Sequence, residues 1–368
     1  MLTGALLLAL GGTAAAQWQP ERKVPWEPVL ESLWPLDFGR LTPKTDTVSI
    51  FVVGDIMCHD SVNKSAAQHG YSTFFKYLAD RIEGSDLAIG NMEFPLGGKP
   101  YTGYPSFSAS DDYAQYLSDV GFDVFLTANN HILDKGTAGI KRTINVLEQK
   151  GFIYTGIARD AKADTLLNPL MLHIRGLRIA IINFTYGTNV GPWDKWPKVN
   201  YMRKNDILPM LERAREAYLV LVFPHWGIEY KLHHNAEQEE MARWLVKNGA
   251  DAVIGTHPHV IQDVQYIGDA PVIYSLGNAL SNMERNCRLE LALTLRVVLE
   301  EDQQPRLLEP SFEYIWCTRP GMVEDSFATV PVSLPDSLWR MKEDYQNMMT
   351  TYRKIYEENH FTGSGRSH

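Results

Sequence analysis

Between Val48 and Gly151 the chain repeats one alternation, an apolar run of strand length followed by an amphipathic stretch of helix length. "VSIFVVGD" precedes "YSTFFKYLADRI", "SDLAIGNME" precedes "DDYAQYLSDVG", and "FDVFLTANNH" precedes "AGIKRTINVLEQKG". An apolar run without polar alternation is buried on both faces, and a parallel neighbour is reached only through a crossover of helix length. The order therefore predicts βαβ units around a largely parallel sheet, an α/β fold.

The middle of the chain has a different pattern. "NPLMLHIRGLRIAIINF" reads as two strands around an Arg-Gly turn. "DILPMLERAREAY" reads as a helix before the strand "LVLVFPHWG", and "NAEQEEMARWLVKNG" as a helix before "ADAVIGTHPH", with "APVIYSLGN" following. "RLELALTLRVVLEE" and "LLEPSFEYIWCTR" are long alternating strands suited to an outer antiparallel layer. The segment Asp336 to Asn359 reads as a helix and "FTGSGRSH" as a frayed tail. No internal repeat is found.

The termini and the charge narrow the setting. "MLTGALLLALGGTAAA" combines a short apolar run with small residues before Gln17, the pattern of a secretory signal at 1–16, and 17–46 reads as a Pro- and Trp-rich arm. No later run approaches the ~20 apolar residues of a membrane span. The expected setting is secreted or periplasmic. A formal net charge of -9 opposes nucleic-acid binding. The three cysteines, Cys58, Cys287 and Cys317, lack tight spacing and read as buried or partly buried thiols. Residues 47–285 are expected to form the main domain, 286–333 strands that complete it, and 334–368 a C-terminal helix and tail.

Polar clusters stand wherever an apolar strand ends. Gly54 and Asp55 end the first; Asn91 and Glu93 the second; Asn129, Asn130, His131 and Asp134 the third. His225 and Glu229 follow the fourth, His257 and His259 the fifth, and Ser275, Gly277 and Asn278 the sixth. In an open α/β sheet the carboxyl ends of the strands share one edge, where loops form the ligand crevice. The set supplies carboxylates, an amide oxygen and imidazoles, donors that suit Zn, Mn or Fe better than Ca. His233 and His234 lie past a strand end, before a helix that Asn235 caps, and are read as solvated.

Taken together, "GDIM" (54–57), "NMEFPL" (91–96), "ANNHILDKG" (128–136), "HWGIEY" (225–230), "GTHPHVIQ" (255–262) and "YSLGN" (274–278) resemble the CapA family of bacterial capsule or poly-γ-glutamate biosynthesis proteins. The domain of that family resembles calcineurin-like metallophosphoesterases. The resemblance implies a four-layer α/β/β/α sandwich with one or two divalent ions at the strand ends. It implies Asp55, Glu93, Asn130, His225, His257 and His259 as metal ligands and His131 as the group that protonates a leaving group or stabilises charge. Asn129, Asp134, Glu229, Asn278 and Arg203 are expected to meet substrate. Arg203 belongs to a long aromatic and basic loop, Thr185 to Asp206, suited to an anionic substrate. Metallophosphoesterases carry Asp-x-His on the first strand, whereas this chain has Asp55-Ile56-Met57, and a thioether is a poor ligand for a hard or borderline ion. His59 replaces the missing imidazole only if its loop turns back.

The leading expectation is a metal-dependent hydrolase or transferase acting on a phosphoester or amide bond of an anionic extracellular polymer or its precursor, alongside other capsule-synthesis proteins. The alternatives are a non-catalytic, polymer-binding subunit of a synthesis or export complex, and a phosphoesterase of small substrates.

Overall fold

The strand Asp46–Ile56 has neighbours of opposite direction on its two sides. On one side Leu87–Met92, Val124–Leu126 and Ile153–Thr155 follow in order, all parallel to it. On the other, Leu289–Leu299, Ser311–Thr318 and Ala328–Pro331 continue the sheet in antiparallel pairing. With the short strands Asn278–Leu280 and Arg306–Leu307 attached, this is a nine-stranded sheet. The computed structural model describes residues 36–37, 46–299 and 305–358; the expected signal segment, nearly all of the arm and residues 359–368 lie outside the described residues.

The C-terminal strands were expected as an outer antiparallel layer completing the sandwich; they are antiparallel, but they lie in one of its two sheets rather than outside them. They extend the sheet of the first strand. The first five residues of Leu289–Leu299 are all buried, which requires cover on both faces, and alternation begins only toward the far end.

A second sheet has seven strands in the order Leu36–Asp37, Leu170–Ile174, Leu177–Thr185, Leu219–His225, Ala252–Ile254, Ala270–Ile273, Val264–Ile267. The predicted hairpin turns at Arg175 (φ 47°) and Gly176 (φ 87°), the positive pair that matches the twist of flanking strands. Side chains on its central strands alternate between two cores. Ile179, Ile181, Leu221, Phe223 and Ile254 join the cluster shared with the nine-stranded sheet. Ala180, Ile182, Val220, Val222 and Val253 pack with Met210 and Leu211 of the helix Lys204–Ala214 and with Ala242 and Leu245 of the helix Ala236–Lys247. Period-two alternation with both faces apolar places the sheet between another sheet and a helical layer. Val62, Leu117, Ile140 and Leu147, from the helices Asp60–His69, Asp111–Asp119 and Gly136–Gln149, join the first core. The architecture is the expected α/β/β/α sandwich.

Asn183 fastens the two sheets beneath the strand ends. Its Oδ1 accepts from the Thr127 and Ala128 amides at 3.0 and 2.7 Å, and its Nδ2 donates to the Phe223 carbonyl at 2.9 Å. The predicted helix over "YSTFFKYLADRI" is confined to Ala79–Glu83. Phe74 and Phe75 are adjacent and both fully buried, while Thr73 and Phe74 bond to the Phe327–Thr329 strand segment, so tertiary pairing outcompetes a helix there. The C-terminal helix Lys342–Glu358 buries Met348 and Ile355 and sets Tyr352 against Tyr314, ring centroids 4.9 Å apart. Cys58, Cys287 and Cys317 are free and buried.

Candidate metal centre

Asp55 is placed by a local irregularity. The register with Leu87–Met92 shifts between Val53 and Asp55, which sets Asp55 opposite Asn91. Gly54 allows the close approach, since a Cβ there would lie 2.3 Å from the Gly277 carbonyl oxygen. Its amide donates to Glu290 Oε1 at 2.7 Å and that of Asp55 to the Gly277 carbonyl at 3.0 Å. Asn91 Nδ2 donates to Asp55 Oδ1 at 2.6 Å.

His257 and His259 lie in a turn whose backbone is unusual for non-glycine residues, φ 99° and 59°. Such conformations persist only where the surroundings impose them. Here Asp55 Oδ2 accepts from the His257 amide at 3.2 Å, and both rings are buried. His259 Nδ1 lies 2.9 Å from Asn278 Oδ1 and 3.2 Å from Asp55 Oδ2. Both are acceptors, so Nδ1 carries the proton and Nε2 presents its lone pair.

Glu93 follows the second strand and is fully buried. His225 Nε2, His259 Nδ1 and His131 Nε2 surround its carboxylate at 3.6, 3.9 and 4.0 Å. Burial first, and then the charge of Asp55, holds this carboxyl well above the usual range. Burial likewise lowers His225 and His257, reinforced by neighbouring imidazoles. His259 is raised: burial acts downward, and the bond to Asp55 with its charge outweighs it.

The donor set fits a divalent cation. Ligand atoms of Glu93, His257 and His259 lie within 4.8 Å of one another. Both Glu93 oxygens and His257 Nδ1 are buried without a hydrogen-bond partner among the described residues. Such groups are destabilising unless neutralised or coordinated, and one carboxylate with two neutral imidazoles is a set that Zn, Mn or Fe accepts.

The other predicted residues divide by task. His225 Nε2 pairs with Asn130 Oδ1 at 2.8 Å, and its Nδ1 with Thr256 Oγ1 at 2.9 Å, so these two expected ligands hold each other beside Glu93. His131 Nδ1 lies 2.7 Å from Asp134 Oδ2, and this charge-assisted contact takes precedence over Asn189 Nδ2 at 3.1 Å from the same nitrogen. Asp134 was expected to meet substrate; it orients His131 and accepts the Phe107 amide at 2.8 Å. Asn129, expected in the same role, is wholly buried and bonds the Met92 carbonyl and the His131 amide. Asn278 is similarly buried and orients His259. Glu229 stands at the rim, 4.0 Å from His259 Nε2. Arg203 pairs with Asp194 at 2.6 Å and lies over the Tyr201 ring. Met57 is in the apolar core. His233 and His234, read as solvated, both bond to Asp263, and His234 stacks on Tyr274 at 3.8 Å.

Asn91, Thr256, Asn189 and Glu290 carry positioning bonds that the sequence reading did not assign. Only Asn91 had a signal, its place at a strand end.

Fold and site together define a class: a two-sheet α/β/β/α sandwich whose strand ends converge on a buried carboxylate and imidazole cluster fit for a divalent metal. The family model of the bacterial capsule synthesis protein PGA_cap matches residues 49–283, and the chain belongs to that family. It is 29% identical over 248 residues to the capsule biosynthesis protein CapA of Bacillus anthracis, covering 64% of this chain and 60% of the relative. It is 30% identical over 249 residues to the PGA biosynthesis protein CapA of Bacillus subtilis (strain 168), covering 64% of this chain and 65% of the relative. The match thus spans less than two thirds of each relative. Among solved structures, the 5'-nucleotidase from Candida albicans SC5314 aligns with 88% of this chain and 59% of its own, at 13% identity and a TM-score of 0.45.

Proposed function

We propose that the protein is a metal-dependent hydrolase or transferase that acts outside the cytoplasm on poly-γ-glutamate, a related anionic capsule polymer or its precursor, alongside other capsule-synthesis proteins. The observation that carries this reading is the buried Glu93, His257 and His259 cluster with its unpartnered ligand atoms. A module that only binds a polyanion needs surface cations rather than buried metal ligands.

Glu93, His257 and His259 would hold the ion, with Asp55 beside them. A divalent ion there supplies Lewis acidity and lowers the pKa of water. Asp55 orients the ligands through the His257 amide and the His259 ring. With its Nδ1 proton fixed on Asp134, His131 has Nε2 as the atom that takes or delivers a proton, the geometry of a general acid for a leaving oxygen or amine. Burial of the cluster excludes bulk water and strengthens each of these contacts.

The test is metal content of the purified protein by mass spectrometry, then turnover of phosphoesters and γ-glutamyl polymers by wild type and His257→Ala. Stoichiometric metal with turnover lost in the variant supports the proposal. A metal-free protein that still binds polyglutamate overturns it. Detection of the protein in periplasmic or culture fractions tests the location.

A further inference from the structure

His59 occupies the N-cap position of the helix Asp60–His69, and its side chain makes no capping bond. Ser, Thr, Asp or Asn at such a position stabilises a helix by accepting from its first turn. The ring is fixed elsewhere. Its Nδ1 accepts the main-chain N–H of Asn282 at 3.2 Å. Asn282 is itself anchored, its Nδ2 donating to Ser61 Oγ at 3.2 Å and its Oδ1 accepting from Arg319. The ring meets Phe107 edge-on at 5.2 Å between centroids, and Phe107 packs against His131 at 4.4 Å. Gly103 approaches the His59 main chain so closely that a Cβ would lie 2.9 Å from its carbonyl carbon.

Because Nδ1 accepts, the proton of the neutral ring sits on Nε2. That nitrogen has no hydrogen-bond partner among the described residues. Burial, followed by the charges of His259 and His131, pulls His59 down to about 4, so the ring is a neutral donor at pH 7.

We propose that His59 is a further substrate-binding residue of the metal centre, a fixed donor whose Nε2–H meets an oxyanion of the substrate, phosphoryl or carboxylate. The inference deepens the hydrolase reading and rests on it. His59 and His259 are opposites: His259 protonates Nδ1 and leaves Nε2 as a lone pair for a cation, whereas His59 protonates Nε2 and is unfit as a ligand through that atom. The turn between the first strand and the helix Asp60–His69 thus contributes a substrate contact where Met57 offers no imidazole.

The test uses metal-loaded wild type, His59→Ala, His59→Gln and, as the metal-site reference, His257→Ala. Nitrogen-15 shifts of the wild-type ring should place the proton on Nε2 and move when inorganic phosphate or γ-linked triglutamate is added. His59→Ala should keep its metal and lose about tenfold in affinity for a probe, with partial recovery in His59→Gln, as expected for one hydrogen bond to a charged group. Loss confined to phosphate identifies a phosphoryl contact, and loss confined to triglutamate a carboxylate contact. The proposal is overturned by a proton on Nδ1, by metal loss in His59→Ala matching that of His257→Ala, or by unchanged affinity for both probes. If wild type binds neither probe and turns nothing over, the hydrolase reading falls and takes this inference with it. If His59→Ala does not fold, the wild-type ring shifts and His59→Gln decide.

Discussion

The carboxylate of Asp55 bonds the main-chain N–H of His257 across 202 residues of sequence, and the same oxygen lies 3.2 Å from His259 Nδ1. One aspartate therefore holds a strained turn in place and sets the tautomer of its second imidazole. Groups that orient ligands in this way are worth about 10- to 100-fold in metal affinity. Asp55→Ala should lower metal affinity by about that factor or more, measured by competition with a chelating dye.

Glu290 gives a pH-dependent signature. Burial raises its carboxyl well above the ordinary 4.5; the Gly54 amide opposes this and the Asp55 charge adds to it. A folded-state pKa above the unfolded value makes the contribution full below pH 4.5 and progressively lost as pH rises toward the folded pKa. Glu290→Gln keeps an acceptor for Gly54 and removes the titration. Relative to wild type, the variant should gain stability from pH 4.5 upward, by at most about 1.4 kcal/mol per pH unit. Urea denaturation of both proteins from pH 4 to pH 8 measures it, and parallel curves would refute it.

Under the proposed hydrolase function, Asp134→Asn should separate proton transfer from metal binding. The carboxylate lies 2.7 Å from His131 Nδ1, away from the Glu93, His257 and His259 cluster. The variant should retain its metal while kcat falls by about 10²- to 10³-fold, the scale of a misoriented general acid. Metal analysis beside steady-state kinetics checks both halves.

Asn183→Ala should be costly although Asn183 belongs to neither core. It removes the buried side-chain partner of the Ala128 amide and of the Phe223 carbonyl, while the Thr127 amide keeps its second acceptor, the Thr155 carbonyl at 3.0 Å. At about 1–3 kcal/mol for each unsatisfied group, partly relieved by relaxation, a loss of about 3 kcal/mol is expected. Chemical denaturation measures it.

Much of this centre was legible because its residues end apolar runs. A strand buried on both faces is bounded sharply, and Asp55, Glu93, His131, His225 and His257 stand at or just past the ends of such strands. What pairs with what was not legible. The contact between Asn91 and Asp55 depends on a one-residue register shift beside Gly54, and the pairing of His225 with Asn130 depends on how the two sheets dock. Neither leaves a periodic trace. The stretch from Tyr71 to Leu78 was misread because its apolar spacing is compatible with a helix, while the deciding bonds come from Phe327 and Thr329, some 250 residues away. The antiparallel pairing of the strand Leu289–Leu299 was legible and its place inside a sheet was not, for the complementary reason: alternation at its exposed end masks continuous burial at its start.

The division of the ligands between sheets has a consequence for assembly. Glu93 follows a strand of the nine-stranded sheet, with Asp55 beside it, and His257 and His259 follow a strand of the seven-stranded one. Neither half alone presents all three of Glu93, His257 and His259. A cation bound here behaves as a clasp closed only after the halves have met, so metal uptake during refolding reports sheet docking, and two complementary fragments of the chain would become a metal-binding species only on recombination.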